Sequence, residues 1–262
     1  MSVTITRRFV DRHRVEGSSS RPDDLAVEAP LVLALDGSVI ATLMRTPGHD
    51  LELAAGWLVV ESGVRAPSDL VLLRACREDD TDRVHITLAS GVRPPRARAY
   101  VTSAACGVCS ADVLDLSTHR WAGTRDEWTI ASSTLAQLPD VMRTRQRAFD
   151  RTGGVHAAAF AGFDGSLGSV FEDIGRHNAV DKVVGEALLA GALPAFDRLL
   201  VVSGRVSFEI VQKAVAAGAA GIVAVSAPSS LAVDLARSEG LLLAGMTRNG
   251  GYNLYAGAEH VR

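Results

Sequence analysis

Cysteine is scarce in this chain, with three residues among 262, at positions 76, 106 and 109. A closed structural zinc site needs four ligands, usually a second Cys or His pair at comparable spacing, and neither Cys76 nor any of the seven histidines supplies one in the linear sequence. Long apolar runs are missing as well. The most apolar late stretch, residues 214–228, is rich in Ala and Gly and falls short of the about 20 residues that span a bilayer. Residues 1–8 are polar and alternating, without the apolar segment or small-residue cleavage site of a secretory signal. A cytoplasmic protein with no membrane partner and initially reduced cysteines is expected. Excess positive charge is also lacking: the formal charge of −3 argues against a general nucleic-acid binder. Lysine occurs only at 182 and 213, and arginine makes up the other 25 of the 27 basic residues. That bias reads first as genome composition and second as bidentate phosphate recognition.

What remains is an ordinary globular composition, 47 % hydrophobic and 22 % charged, in which only residues 16–22 read as lacking order. Residues 31–35 and 38–43 flank Asp36-Gly37, a dipeptide suited to the positive φ angles of a tight hairpin. Leu51, Ala54, Ala55, Leu58 and Val59 then recur at helical spacing up to Gly63, and strands at 70–74 and 84–88 flank an acidic turn. The first hundred residues thus predict a small α+β unit ending at Pro94-Pro95. A second hairpin is expected from 155–161 and 167–171 about Asp164-Gly165. Helices at 178–189, 208–217 and 231–238 then alternate with strands at 199–202, 222–225 and 241–243. Strands that are short continuous apolar runs predict a mostly parallel sheet with helices on both faces, a three-layer α/β domain.

Cys106-Gly107-Val108-Cys109 lies between a strand-like segment, 97–101, and an amphipathic one, 111–116. On a strand-to-helix connection, free amides and the helix dipole depress a thiol pKa. Structural zinc, a dithiol redox pair and a persulfide-carrying sulfur carrier all compete for this motif, and the cysteines alone do not choose.

Ligands of such sheets bind beyond the carboxyl ends of the strands, so the loops there carry the functional reading. They are 171–178 with Arg176 and His177, 203–207 with Arg205 and Ser207, 226–230, and 246–251 with Met246, Thr247, Arg248, Asn249, Gly250 and Gly251. Several such loops, three of them arginine-bearing, point to a phosphate-bearing ligand. His156, in an apolar strand, is read as a core histidine. His177, among Asp173, Arg176 and Asp181, divides between ligand-facing and structural roles, and no role is assigned to the remaining histidines.

Five motifs in order resemble one family over nearly the whole chain. They are Cys106-Gly107-Val108-Cys109, Thr152-Gly153-Gly154-Val155-His156-Ala157-Ala158, Glu172-Asp173-Ile174-Gly175-Arg176-His177-Asn178-Ala179-Val180-Asp181-Lys182, Ser203-Gly204-Arg205-Val206-Ser207-Phe208-Glu209 and Ala224-Val225-Ser226-Ala227-Pro228. The sequence resembles the formate dehydrogenase accessory sulfurtransferases, the FdhD family. The resemblance implies a cytidine-deaminase-like α/β domain, 103–262, behind a smaller N-terminal α+β domain, 1–102, usually as a homodimer. It implies that a cysteine desulfurase passes sulfur to the CxxC loop, for delivery to the bis(molybdopterin guanine dinucleotide) molybdenum cofactor of formate dehydrogenase. By the same resemblance, Cys106 matches the persulfide carrier and Cys109 its neighbour. Residues 246–251 match a cofactor-binding stretch, and no permanently bound metal is expected. Ser110 and Gly251 depart from the glycine and arginine common at those positions. The chain lacks the His-x-Glu and Pro-Cys-x-x-Cys set of zinc deaminases, which excludes deamination. The competing reading is a chaperone that binds the cofactor and uses its cysteines for metal or redox sensing.

Overall fold

A computed structural model describes residues 4–78, 80–95, 120–122 and 127–262. The expected segments at 97–101 and 111–116, both CxxC cysteines and the expected domain boundary at 102/103 lie outside the described residues.

Strands β1 (Ile5–Arg14) and β2 (Gly17–Ala26) form a two-stranded antiparallel ribbon. Residues 16–22, read from composition as lacking order, therefore lie largely in β2. Pairing across the ribbon supplies the order that local composition does not. Pro22 is tolerated because each strand has a free edge. Asp24 on β2 meets Arg7 at 2.9 Å and Arg151 at 2.6 Å, which ties the ribbon to the later part of the chain.

The Asp36-Gly37 hairpin forms as expected between β3 (Ala29–Leu35) and β4 (Ser38–Arg45), with φ of 47° and 84° at its two turn residues. With β5 (Leu70–Glu78) and β6 (Thr81–Leu88) it builds a four-stranded sheet ordered β4-β3-β6-β5, in which β3 and β6 run parallel. Helix α1 (Asp50–Glu61) is buried from Leu53 to Val59 on every side, as expected of a helix packed on two partners. One partner is this sheet and the other is α4 (Arg176–Leu189).

The later sheet has six strands in the order β12-β11-β10-β9-β7-β8. They are β7 (His156–Gly162), β8 (Phe171–Asp173), β9 (Arg198–Val202), β10 (Gly221–Ala224), β11 (Leu242–Arg248) and β12 (Gly251–Ala256). Only the pairs β9–β10 and β10–β11 are parallel; β7 opposes both β8 and β9, and β12 opposes β11. The sheet is therefore mixed, and the expectation of a mostly parallel one is corrected. The apolar runs reflect burial on both faces, a property they share whatever the direction of the strand.

Side-chain alternation shows those two faces directly. Ala158, Phe160, Leu200, Val202, Ile222 and Leu243 join the core shared with α1, α4, α5 (Phe208–Ala216) and α6 (Ser230–Ser238). Ala157, Ala159, Leu199, Val201, Val223 and Leu242 join a second core under α2 (Ser132–Arg143). Sequence periodicity had not assigned α2 or the short α3 (Arg147–Thr152). The second hairpin is also longer than expected: Ala161 bridges Leu167 near the turn, while β7 pairs with β8 from Ala158↔Phe171 to His156↔Asp173.

Candidate functional site

Strand direction assembles the site. Because β7 opposes both β8 and β9, the carboxyl end of β8 lies at the same sheet edge as those of β9, β10 and β11. The beginning of β7, with His156, lies there too. Backbone bonds link the loops into a row: Ser203 N–H donates to Ala157 O at 2.9 Å, Val206 N–H to Ala227 O at 3.2 Å and Met246 N–H to Ser226 O at 3.1 Å.

A buried polar lattice fixes the first loop. Asp173 is fully buried and lies 2.8 Å from Lys182 Nζ. Its Oδ1 accepts from Gly175 N–H at 2.8 Å and Asn178 Nδ2 at 3.0 Å, and its Oδ2 from Thr46 N–H at 3.1 Å. Thr46 Oγ1 in turn accepts from Ile174 N–H at 3.1 Å, and Asn178 Nδ2 donates to Met44 O at 2.8 Å. A buried carboxylate is tolerable only with such complete pairing. The result locks the start of α4 against the end of β4.

Arg176 and His177 open α4 on this base. His177 Nδ1 lies 3.0 Å from Glu209 Oε2 of α5. Gly204 lets the elements close up, since a Cβ there would sit 3.3 Å from His156 Nδ1 and 3.4 Å from Arg176 Cβ and Cδ. Arg176, His177, Arg205 and Ser207 are thus brought together. His156, read as a core histidine, is only half-buried and belongs to the same cluster. Its place on β7 depends on strand order, a signal the linear sequence does not carry.

The electrostatics are those of clustered positive charge. Burial pushes the His156 pKa down, and the charges of Arg176, His177 and Arg205 push the same way. Burial, then neighbouring Arg205, lowers that of Arg176. The hydrogen bond from His177 holds the Glu209 carboxyl below the usual range. In these loops three buried polar atoms find no hydrogen-bond partner among the described residues: Arg176 Nε, Ser207 Oγ and Thr247 Oγ1. Orphaned donors of this kind call for a ligand or water. The first turns of α4 and α5 also have no side-chain cap, which leaves their amides available. By contrast, Ser229 Oγ caps α6 by accepting from Ala232 N–H at 3.3 Å, so the loop at 226–230 is an ordinary helix start.

The segment at 246–251, expected as a strand-ending loop, is the end of a β-hairpin. Met246, Thr247 and Arg248 belong to β11, Asn249-Gly250 form the turn, and Gly251 begins β12. A bulge with Met246 at φ 54° interrupts the ladder, which resumes at Arg248↔Gly251. Thr247 is buried, whereas Arg248, Asn249, Gly250 and Gly251 are exposed at the tip. No helix of the described residues is long and apolar enough to cross a membrane.

The profile of the FdhD/NarQ family matches residues 26–262. The chain belongs to the FdhD/NarQ family. Proteins named sulfur carrier protein FdhD are similar to this FdhD/NarQ chain along its whole length. The one from Streptomyces coelicolor is 47 % identical, with 100 % of this chain and 97 % of that protein covered. The one from Mycobacterium tuberculosis is 41 % identical, with 100 % of each covered. A crystal structure from Desulfotalea psychrophila, described as that of a formate dehydrogenase accessory protein, aligns with a TM-score of 0.79 at 22 % identity. It covers 99 % of this chain and 100 % of that one, which shows a common fold.

Proposed function

We propose that this FdhD/NarQ protein is a sulfurtransferase that accepts sulfane sulfur from a cysteine desulfurase as a persulfide on Cys106. The observation that carries the reading is full-length similarity to named sulfur carriers in a chain whose only CxxC is Cys106-Gly107-Val108-Cys109. The Cys106 thiolate attacks the terminal sulfur of the donor persulfide. The donor's S–S bond breaks, a Cys106 persulfide forms, and the donor cysteine leaves as thiolate. Attack by the Cys109 thiolate on Cys106 Sγ then releases the sulfur as hydrosulfide. Formation of the Cys106–Cys109 disulfide supplies the two electrons, and a cellular thiol reductant resets the pair.

The acceptor in this reading is the bis(molybdopterin guanine dinucleotide) molybdenum cofactor that serves formate dehydrogenase, bound as substrate. The orphaned donors Arg176 Nε, Ser207 Oγ and Thr247 Oγ1 fit its phosphates, with Arg205, His177 and the uncapped amides of α4 and α5 adding positive potential. Residues 246–251, including exposed Arg248 and Asn249, would meet its outer parts. A cytidine-deaminase-like, three-layer arrangement, a homodimer and a cytoplasmic location complete the proposal.

The deciding experiment incubates the protein with a cysteine desulfurase and cysteine, then examines it by mass spectrometry. A one-sulfur increase on the Cys106 peptide is expected. A protein that binds the cofactor yet never gains that sulfur is a chaperone, and the transferase reading falls.

A further inference from the structure

The solvent face of the four-stranded sheet carries a cluster that the strand-end site does not use. Cys76 and Glu78 lie two residues apart on β5 and so share a face. The antiparallel register sets Cys76 opposite Arg83 and Arg74 opposite His85, which makes His85 a diagonal neighbour of Cys76. Val84 and Ile86, alternating with these residues on β6, point the other way into the core. Glu78 Oε1 lies 2.8 Å from His85 Nε2 and 3.5 Å from Cys76 Sγ. Arg83 Nε lies 3.1 Å from the other oxygen, Oε2, as an ion pair. The three donor atoms all fall within 4.8 Å of one another, and this is the one such group of three among the described residues.

We propose that Cys76, Glu78 and His85 form a surface binding site for a divalent transition-metal ion, with Zn²⁺ the best match. One thiolate, one imidazole and one carboxylate are a borderline-soft donor set of the kind zinc takes. Bonds of about 2.0 to 2.3 Å in tetrahedral geometry need donors roughly 3.4 to 3.6 Å apart, so His85 Nε2 and Glu78 Oε1, now 2.8 Å apart, have to separate by about 0.6 to 0.8 Å, and Cys76 Sγ and His85 Nε2, within 4.8 Å, have to settle at the same spacing. Three protein ligands leave the fourth position to water or an external ligand. Arg83, ion-paired with the non-ligating oxygen, is the outer charge beside the carboxylate.

Binding moves no electrons. The ion displaces the Cys76 thiol proton to solvent, and His85 ligates through Nε2 as the neutral tautomer with its proton on Nδ1.

The test uses the full-length chain with Cys106→Ser and Cys109→Ser, in which Cys76 is the only thiol, titrated with Co²⁺ alone and then displaced by Zn²⁺. One Co²⁺ per chain, with a thiolate-to-cobalt charge-transfer band, is expected. The band should vanish in Cys76→Ser, and affinity should fall about tenfold or more in His85→Gln, with circular dichroism confirming the fold in both. Absence of the thiolate band, or a band and affinity unchanged in His85→Gln, overturns the site. Sulfur transfer is disabled in this background from the outset, so the two proposals fail independently.

Discussion

Arg176 holds a buried Nε with no hydrogen-bond partner among the described residues, beside a second arginine, an arrangement that favours an incoming anion. Arg176→Ala is expected to weaken binding of a guanine nucleotide, a fragment of the proposed acceptor, by about 1.5 to 3 kcal/mol, the range for hydrogen bonds to charged groups. Calorimetry on the two proteins checks this, and equal affinities would remove Arg176 from the site. His156 adds a pH signature. Its folded pKa lies below the unfolded value of about 6.5, so the unfolded chain takes up the proton first and stability drops as pH falls from there. A bound phosphate would offset the repulsion from Arg176, His177 and Arg205 and draw a proton onto His156. Nucleotide binding should therefore strengthen as pH falls toward and below about 6.5 relative to His156→Gln, a comparison that cancels the titration of the phosphate itself. Parallel affinity profiles for the two proteins would mean that His156 does not sense the ligand.

Helices α1 and α4 cross so closely that their glycines are required by space and not by φ. A Cβ at Gly56 would collide with the Asp181 carbonyl oxygen, and one at Gly185 with that of Glu52. Backbone cannot rotate away as a side chain can, so Gly185→Ala is expected to cost about 3 kcal/mol or more of stability. Urea denaturation measures it, and a loss under about 1 kcal/mol would show that the crossing relaxes freely. The crossing matters for function because it joins the sheet that positions Thr46 to the helix that presents Arg176. The β1–β2 ribbon makes a weaker junction. Hydrogen bonds from Arg7 and Arg151 hold the Asp24 carboxyl at about 2. A depressed carboxyl contributes above its unfolded pKa and is lost as pH falls toward the folded value, so the ribbon should undock between about pH 4 and 2. Limited proteolysis of β2 across that range reports it; Asp24→Asn should bring the same susceptibility at neutral pH.

Across the whole molecule, the proposed chemistry and the proposed binding separate cleanly. Cys106→Ala is expected to abolish formate dehydrogenase maturation in cells while leaving nucleotide affinity unchanged, because the nucleophile is removed and the strand-end cluster is not. Cys109→Ala should be milder, since a dithiol reductant can release the sulfur in its place. Full activity with Cys106→Ala would end the sulfur-relay reading, and equal loss in both variants would point to a metal pair or to a release step that only Cys109 performs.

Local signals in the chain were enough for the Asp36-Gly37 hairpin, for α1 and for the helix and strand alternation after residue 175, because turn chemistry and periodicity act over a few residues. Five motifs in order were enough for the family. Arg176, His177, Arg205 and Ser207 were legible as candidates because each sits where a strand ends. Direction and pairing were not legible. A strand buried on both faces reads the same whether parallel or antiparallel, so the reversal of β7 that brings His156 to the cluster was hidden. The β12 strand that turns residues 246–251 into a hairpin was hidden too. Cys76 and His85, nine residues apart with no metal-binding spacing between them, become neighbours only through the β5–β6 register. Sequence by itself determined which segments form and which residues carry chemistry. Tertiary structure decided which of those residues meet, because cross-strand register and strand order are set by long-range burial and pairing that no local pattern encodes.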